Sequence, residues 1–268
     1  MFSWVQDKEL CYLEISQFSD FGIKAYFTSR LGGVSTGSFN SLNLGLHTSD
    51  KKDNVLKNRE IIAKSIGVNP RNFVAAEQIH DNKVYIVNER DNGSGALYYN
   101  DSISGIDALI TDKSKLPLIS FYADCVPLYF VEPKKKVIAL AHAGWQGTVK
   151  NIGEKTISIM KEKFNVNSED IWVAIGPSIS KDFYEVNDLV INRFKRKFKN
   201  YKEFIVDKGK GLYLLDLWQA NINSLKEAGI NDNHIILSNY CTYKDNKYFY
   251  SYRKEKGKTG RMASIIFF

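Results

Sequence analysis

The stretch ISFYADCVPLYFVEPKKKVIALAHAGW, residues 119 to 145, constrains this chain more than any other. Two runs rich in β-branched and aromatic residues flank a short polar turn, and they read as adjacent antiparallel strands. The second run reads as a buried strand that ends at His142. Further strands are expected over 23–29, 72–80, 84–89, 107–111 and 170–176. Helical patterns run over 54–67, 148–164 and 215–229. In the second of these, Val149, Ile152, Thr156 and Met160 recur at helical spacing. Gly67 and Gly229 stand where helix C-caps belong. Hairpins mixed with helical crossovers define an α/β (α+β) fold, a layered arrangement of mixed β-sheets flanked by helices.

The hairpin also brings chemistry together. If its loop is Glu132 to Lys135, Val131 faces Lys136 and Cys125 lies directly opposite His142. A loop one residue longer would give Val126 that partner and turn Cys125 to the other face. In the 72–80 strand, Gln78 and His80 project to one side. One thiolate and two imidazoles form a competent set for zinc, with a fourth position open. Two other readings remain: Cys125 as a nucleophile with His142 as its base, which requires a third orienting group, and Cys125 as a small core residue.

Gly144 and Gly147 flank Trp145 and Gln146 just before the expected helix, where free amides and the helix dipole favour an anion. The segment TSRLGGVSTGSFNSLNLG, 28–45, lacks the Gly-Lys-Ser/Thr of a P-loop and is read as a functional loop carrying Arg30 and Asn43.

The 268 residues contain no repeat or Pro/Gly/Ser-rich linker, so one domain spanning 1–268 is expected. The net charge of +7 makes anionic partners plausible. Much of the excess sits in KKKV (134–137) and NRFKRKFKN (192–200), a solvated turn and a solvated helix face above a buried Phe194 and Phe198 stripe. No aromatic-interleaved basic motif accompanies them, and no nucleic acid partner is expected. Three scattered cysteines make no disulfide framework, and neither a signal peptide nor a membrane span is visible. A cytoplasmic protein is the expectation. The chain has four histidines, too few for the copper clusters of a multicopper oxidase.

TSRLGGVS, SLNLGLH, NRE, EQIH, ADCVPLYF, AHAGW, IGPSIS with YEV, and SYRKEKGKTGRMAS follow one another in this order. On these motifs, from about residue 23 to the end, the chain resembles the bacterial polyphenol oxidase (laccase-domain) family. Its members are also described as purine nucleoside phosphorylases and peptidoglycan editing factors. The resemblance implies zinc, with copper as an adventitious occupant, held by His80, Cys125 and His142, which would also be the catalytic centre. It implies phosphorolysis of adenosine, inosine, guanosine and methylthioadenosine, and deamination of adenosine. Arg30, Arg59 and Arg253, from matching motifs, would supply charge to phosphate, and Asn43 would bond base or sugar. Asp107 and Asp124 are candidates for moving protons, Asp107 at the substrate. Alternatives are a cysteine- or zinc-dependent hydrolase of peptidoglycan precursors and a weak copper-dependent polyphenol oxidase. Two departures stand out: Gln146 where many members have arginine, and Ser178 where relatives have cysteine.

Overall fold

In a computed structural model that describes residues 1–268, the hairpin lies at the centre of a four-layer α/β/β/α sandwich. One six-stranded sheet runs in the order Phe2–Asp7, Leu10–Ile15, Lys24–Thr28, Met262–Phe267, Leu118–Tyr122 and Val74–Ala75. The other runs Ile235–Leu237, Trp172–Ile175, Val126–Glu132, Val137–Ala143, Ala108–Thr111 and Val84–Ile86. Both are mixed. Their inner faces meet in a core that includes Leu13, Phe27, Leu118, Tyr129, Val131 and Leu140. Because side chains alternate along a strand, Leu128, Phe130, Ala139 and Ala141 point the other way, onto helices Ile152–Phe164 and Leu217–Glu227. The outer face of the first sheet packs Ile119 and Ile265 against Ile62, Ala63 and Ile66 of helix Lys52–Ile66. A small third sheet joins Glu185–Asn187, Leu212–Leu215 and Ile205–Gly209.

Gly67 ends its helix at φ 75°, the left-handed cap that glycine adopts without steric cost. The run read as one helix over 148–164 is two, Trp145–Val149 and Ile152–Phe164. Asn151 between them is left-handed at φ 56°, a conformation asparagine tolerates and a helix does not. Ile152, Thr156 and Met160 are buried as their spacing requires. Phe194 and Phe198 are buried under a charged surface, on and just beyond helix Asp188–Lys197.

The expected hairpin register is off by two residues. The turn is Pro133 to Lys136, Glu132 pairs with Val137, and Pro127 rather than Cys125 lies opposite His142. Glu132 stays in the strand because its carboxylate folds over the turn and accepts the amides of Lys134 and Lys135. A shift of two preserves the face, so Cys125 still lies on the side of His142. The expected 72–80 strand is also corrected: only Val74–Ala75 is strand, and His80 lies in a loop. No helix is long and apolar enough to cross a membrane.

Candidate metal centre and its cavity

His142 is the penultimate residue of the Val137–Ala143 strand and is fixed from two sides. Its backbone N–H donates to the carbonyl of Asp107 at 2.8 Å, and its ring Nδ1 lies 2.8 Å from the Asp107 carboxylate. With Nδ1 so engaged, Nε2 is the nitrogen left for a ligand. The same carboxylate accepts the backbone amides of Ile79, His80 and Asp81 at 3.1, 3.0 and 2.8 Å. His80 has φ 61°, a left-handed conformation uncommon for a residue with a Cβ. Three consecutive amides converging on one buried carboxylate hold the loop in that shape. Asp107 therefore positions both histidines, one through its ring and one through its backbone.

Cys125 follows a bend in which Asp124 takes φ 88°. The donor atoms of His80, Cys125 and His142 all lie within 4.8 Å of one another, and the two imidazole centroids are 4.7 Å apart. Burial pushes the Cys125 thiol up, but the His142 charge and the bonds to both histidines outweigh it, and the thiol lies below its ordinary value. Burial lowers His142, while Cys125 and Asp107 raise it above its ordinary value. Gly144 leaves room for the set: a Cβ there would sit 2.9 Å from Cys125 Sγ and 3.4 Å from His80 Cδ2. One thiolate and two imidazoles, close enough to share one ion and graded from exposed His80 to buried His142, fit zinc or copper with a position open to the cavity. A multicopper set does not fit. Of the other two histidines, His234 stacks on Trp172 at 4.1 Å and His47 lines the cavity wall without joining the cluster.

The cavity measures about 520 Å³, within the range that takes a small organic ligand. The triad lies on one wall; Phe121, Tyr122, Trp145, Tyr184 and Tyr252 give it an aromatic lining. Of the substrate residues expected from sequence, only Arg253 lines it. Arg30 is instead paired with Glu255 at 3.0 Å and bonded to the carbonyls of Asn40 and Asn246. Arg59 is fully buried and donates to the carbonyls of Leu44, Gly95 and Ala96. Asn43 is buried, bonded to Thr48 and Asp50, and accepts the amides of Gly45 and Arg261. Asp107 faces the histidines, not the cavity. Asp124 does line it, but its oxygens accept from the Thr242 hydroxyl and the Arg253 amide. Gln78 is bonded through both amide atoms to the backbone of Phe121.

The residues that sequence reasoning missed are Arg261, His47, Tyr99, Tyr184 and Tyr252. All but Tyr99 stand in recognised motifs, His47 in SLNLGLH, Tyr184 in YEV, and Tyr252 and Arg261 in SYRKEKGKTGRMAS, which carried a family signal but no spacing that points to a pocket.

The sandwich and its cluster define a class: an α/β protein with a candidate metal site of one cysteine and two histidines on the wall of a cavity of about 520 Å³. The chain belongs to the family described as multi-copper polyphenol oxidoreductase laccase, whose model matches residues 24–268. It is 41% identical to the purine nucleoside phosphorylase YlmD of Bacillus subtilis over 90% of this chain and 87% of that protein. It is 37% identical to the purine nucleoside phosphorylase SSP1584 of Staphylococcus saprophyticus over 98% and 99%. Among solved structures, YlmD of Geobacillus stearothermophilus superposes with a TM-score of 0.94 at 34% identity over 98% of both chains. A hypothetical protein, YfiH of Bacillus licheniformis, gives 0.95 at 33% over 99% and 98%.

Proposed function

We propose that this chain is a cytoplasmic, single-domain, zinc-dependent purine nucleoside enzyme. It would cleave adenosine, inosine, guanosine and methylthioadenosine with phosphate and, as a lesser activity, deaminate adenosine. The observation that carries the reading is the His80, Cys125 and His142 cluster on the wall of a cavity of nucleoside size. The names of the relatives supply the substrate class.

Zinc held by these three residues would supply a Lewis acid and lower the pKa of a water toward 7. The chain's own groups then have defined tasks. Asp107 keeps His142 Nδ1 engaged and the His80 loop in place. Phe121, Tyr122 and Trp145 give a base or sugar an apolar surface and exclude water from it. In phosphorolysis a phosphate oxygen bonds to C1′ of the ribose as the C1′–N9 bond breaks, and the purine takes up a proton. Cations beside the phosphate stabilise that displacement, and Arg253, which lines the cavity, would serve there. Deamination needs a side chain free to carry protons. Asp107 and Asp124, the two carboxylates at the metal end, are both committed to other bonds, which favours phosphorolysis as the main branch.

A second reading has an observation of its own. Cys125, His142 and Asp107 also form a nucleophile, base and orienting acid, the arrangement of a cysteine hydrolase. That reading gives no task to His80, whose strained loop is held beside the thiol. Chromatography of adenosine incubated with metal-assayed protein, with and without phosphate, separates the two. Adenine formed only with phosphate and lost on chelation supports the enzyme proposed here. Intact adenosine, with Cys125 readily alkylated and activity on cell-wall precursors surviving chelators, supports the hydrolase.

A further inference from the structure

Arg261 is a half-buried cation on the cavity wall that makes no ion pair, with Cys125 and Asp124 acting on it only at longer range. Its Nη1 donates to the carbonyls of Thr259 and Gly260, each at 2.9 Å, and no carboxylate lies within ion-pairing distance. This leaves the edge formed by Nε and Nη2, the fork that takes two oxygens of one oxyanion, without a protein partner. The side chain is held in place rather than loose. Its backbone N–H donates to Asn43 Oδ1 at 2.9 Å, and its carbonyl accepts from Leu44 at 3.1 Å. Its stem lies over Gly45 so closely that a Cβ there would come within 2.9 Å of Arg261 Cγ. Asp124, the carboxylate that shares the cavity, is occupied by Thr242 and the Arg253 amide. Arg253 itself reaches from the rim, with Nη1 on the carbonyl of Glu185 at 2.7 Å. A half-buried guanidinium is costly to keep out of water unless an anion completes it.

We propose that Arg261, assisted by Arg253, forms a subsite for a phosphoryl oxyanion, with inorganic phosphate as its ligand. The inference rests on the phosphorolysis reading and names the residue that would hold the second substrate.

The test is a calorimetric titration of inorganic phosphate into the metal-loaded protein, its Arg261→Gln and Arg261→Lys variants, and Arg253→Gln. Adenosine 5′-monophosphate serves as a second titrant, to distinguish free phosphate from a phosphoryl group carried on a metabolite. Saturable binding that weakens about ten- to a hundredfold in Arg261→Gln, the usual effect of losing bonds to a charged group, supports the subsite. So does partial recovery in Arg261→Lys at an unchanged melting temperature. Arg261-dependent binding of the monophosphate alone keeps the subsite and overturns free phosphate as its ligand. Equal affinity in Arg261→Gln and the unmodified protein, or no saturable binding, overturns the subsite. Phosphate bound through Arg261 without nucleoside cleavage would leave the subsite standing and remove the phosphorolysis reading. Cleavage with an unchanged KM for phosphate in Arg261→Gln would do the reverse.

Discussion

The two ends of the cavity are built by different means. At the metal end, His142 is fixed by a central strand and His80 by a loop pinned to one carboxylate, so each ligand is set by bonds that strand and loop make with Asp107. At the arginine end, Arg261 is set by Asn43, Leu44 and Gly45, from the opposite end of the sequence. The metal end is complete in itself: the Asp107 carboxylate answers the His142 ring and the His80 amide, and Cys125 answers both imidazoles. The arginine end is incomplete, because a guanidinium edge there has no protein partner. A candidate ion site beside a guanidinium with an open edge is what the proposed reaction, which brings a neutral nucleoside to an anion, would require.

Four substitutions test how far the two ends are separate. Cys125→Ala removes the sulfur ligand, and metal per chain measured by atomic absorption falls to near zero; full occupancy would show that the triad is not the site. Arg59→Leu strands the carbonyls of Leu44, Gly95 and Ala96, at about 1 kcal/mol or more for each. Denaturant melts would then show a loss of about 3 kcal/mol while phosphate affinity in the folded protein stays put. That result would sharpen the contrast between a structural arginine and Arg261, and a selective loss of phosphate affinity would break it. Asp107→Asn takes the charge from the group that orients both histidines. Competition with a chromophoric chelator should show metal affinity down about 10- to 100-fold, and an unchanged affinity would deny the carboxylate its positioning role. Gly144→Ala adds a methyl 2.9 Å from Cys125 Sγ at a φ of −62° that alanine accepts. Its strain is about 1 kcal/mol, enough for a several-fold loss of metal affinity, whereas no change would mean that Cys125 can move aside.

The same contrast explains what could be read from sequence. The layered fold, the hairpin and the shared face of Cys125 and His142 follow from local pattern, since alternation and turn residues act over a few positions, whereas His80 sits in a loop that alternation does not describe. The register missed by two because Glu132 uses its side chain to cap the turn from inside the strand, which hydrophobic pattern does not encode. The expected 72–80 strand failed because the Asp107 carboxylate takes the amides that a sheet partner would have used. Arg30, Asn43 and Arg59 stand in recognised motifs yet serve the framework. Nothing in their neighbours' sequence says that the two arginines meet carbonyls of other loops or that Asn43 Nδ2 meets Thr48 and Asp50. Arg261 was invisible for the complementary reason: what marks it is a missing partner, and absence has no sequence pattern.

The claim that one mononuclear centre of one sulfur and two nitrogens anchors this cavity is most directly tested by X-ray absorption at the metal edges. The sample is protein purified without added metal. The expected result is a zinc edge with one sulfur and two imidazole nitrogens in the first shell, and loss of the sulfur in Cys125→Ala. A copper edge, or a zinc shell of oxygen and nitrogen alone, would contradict it.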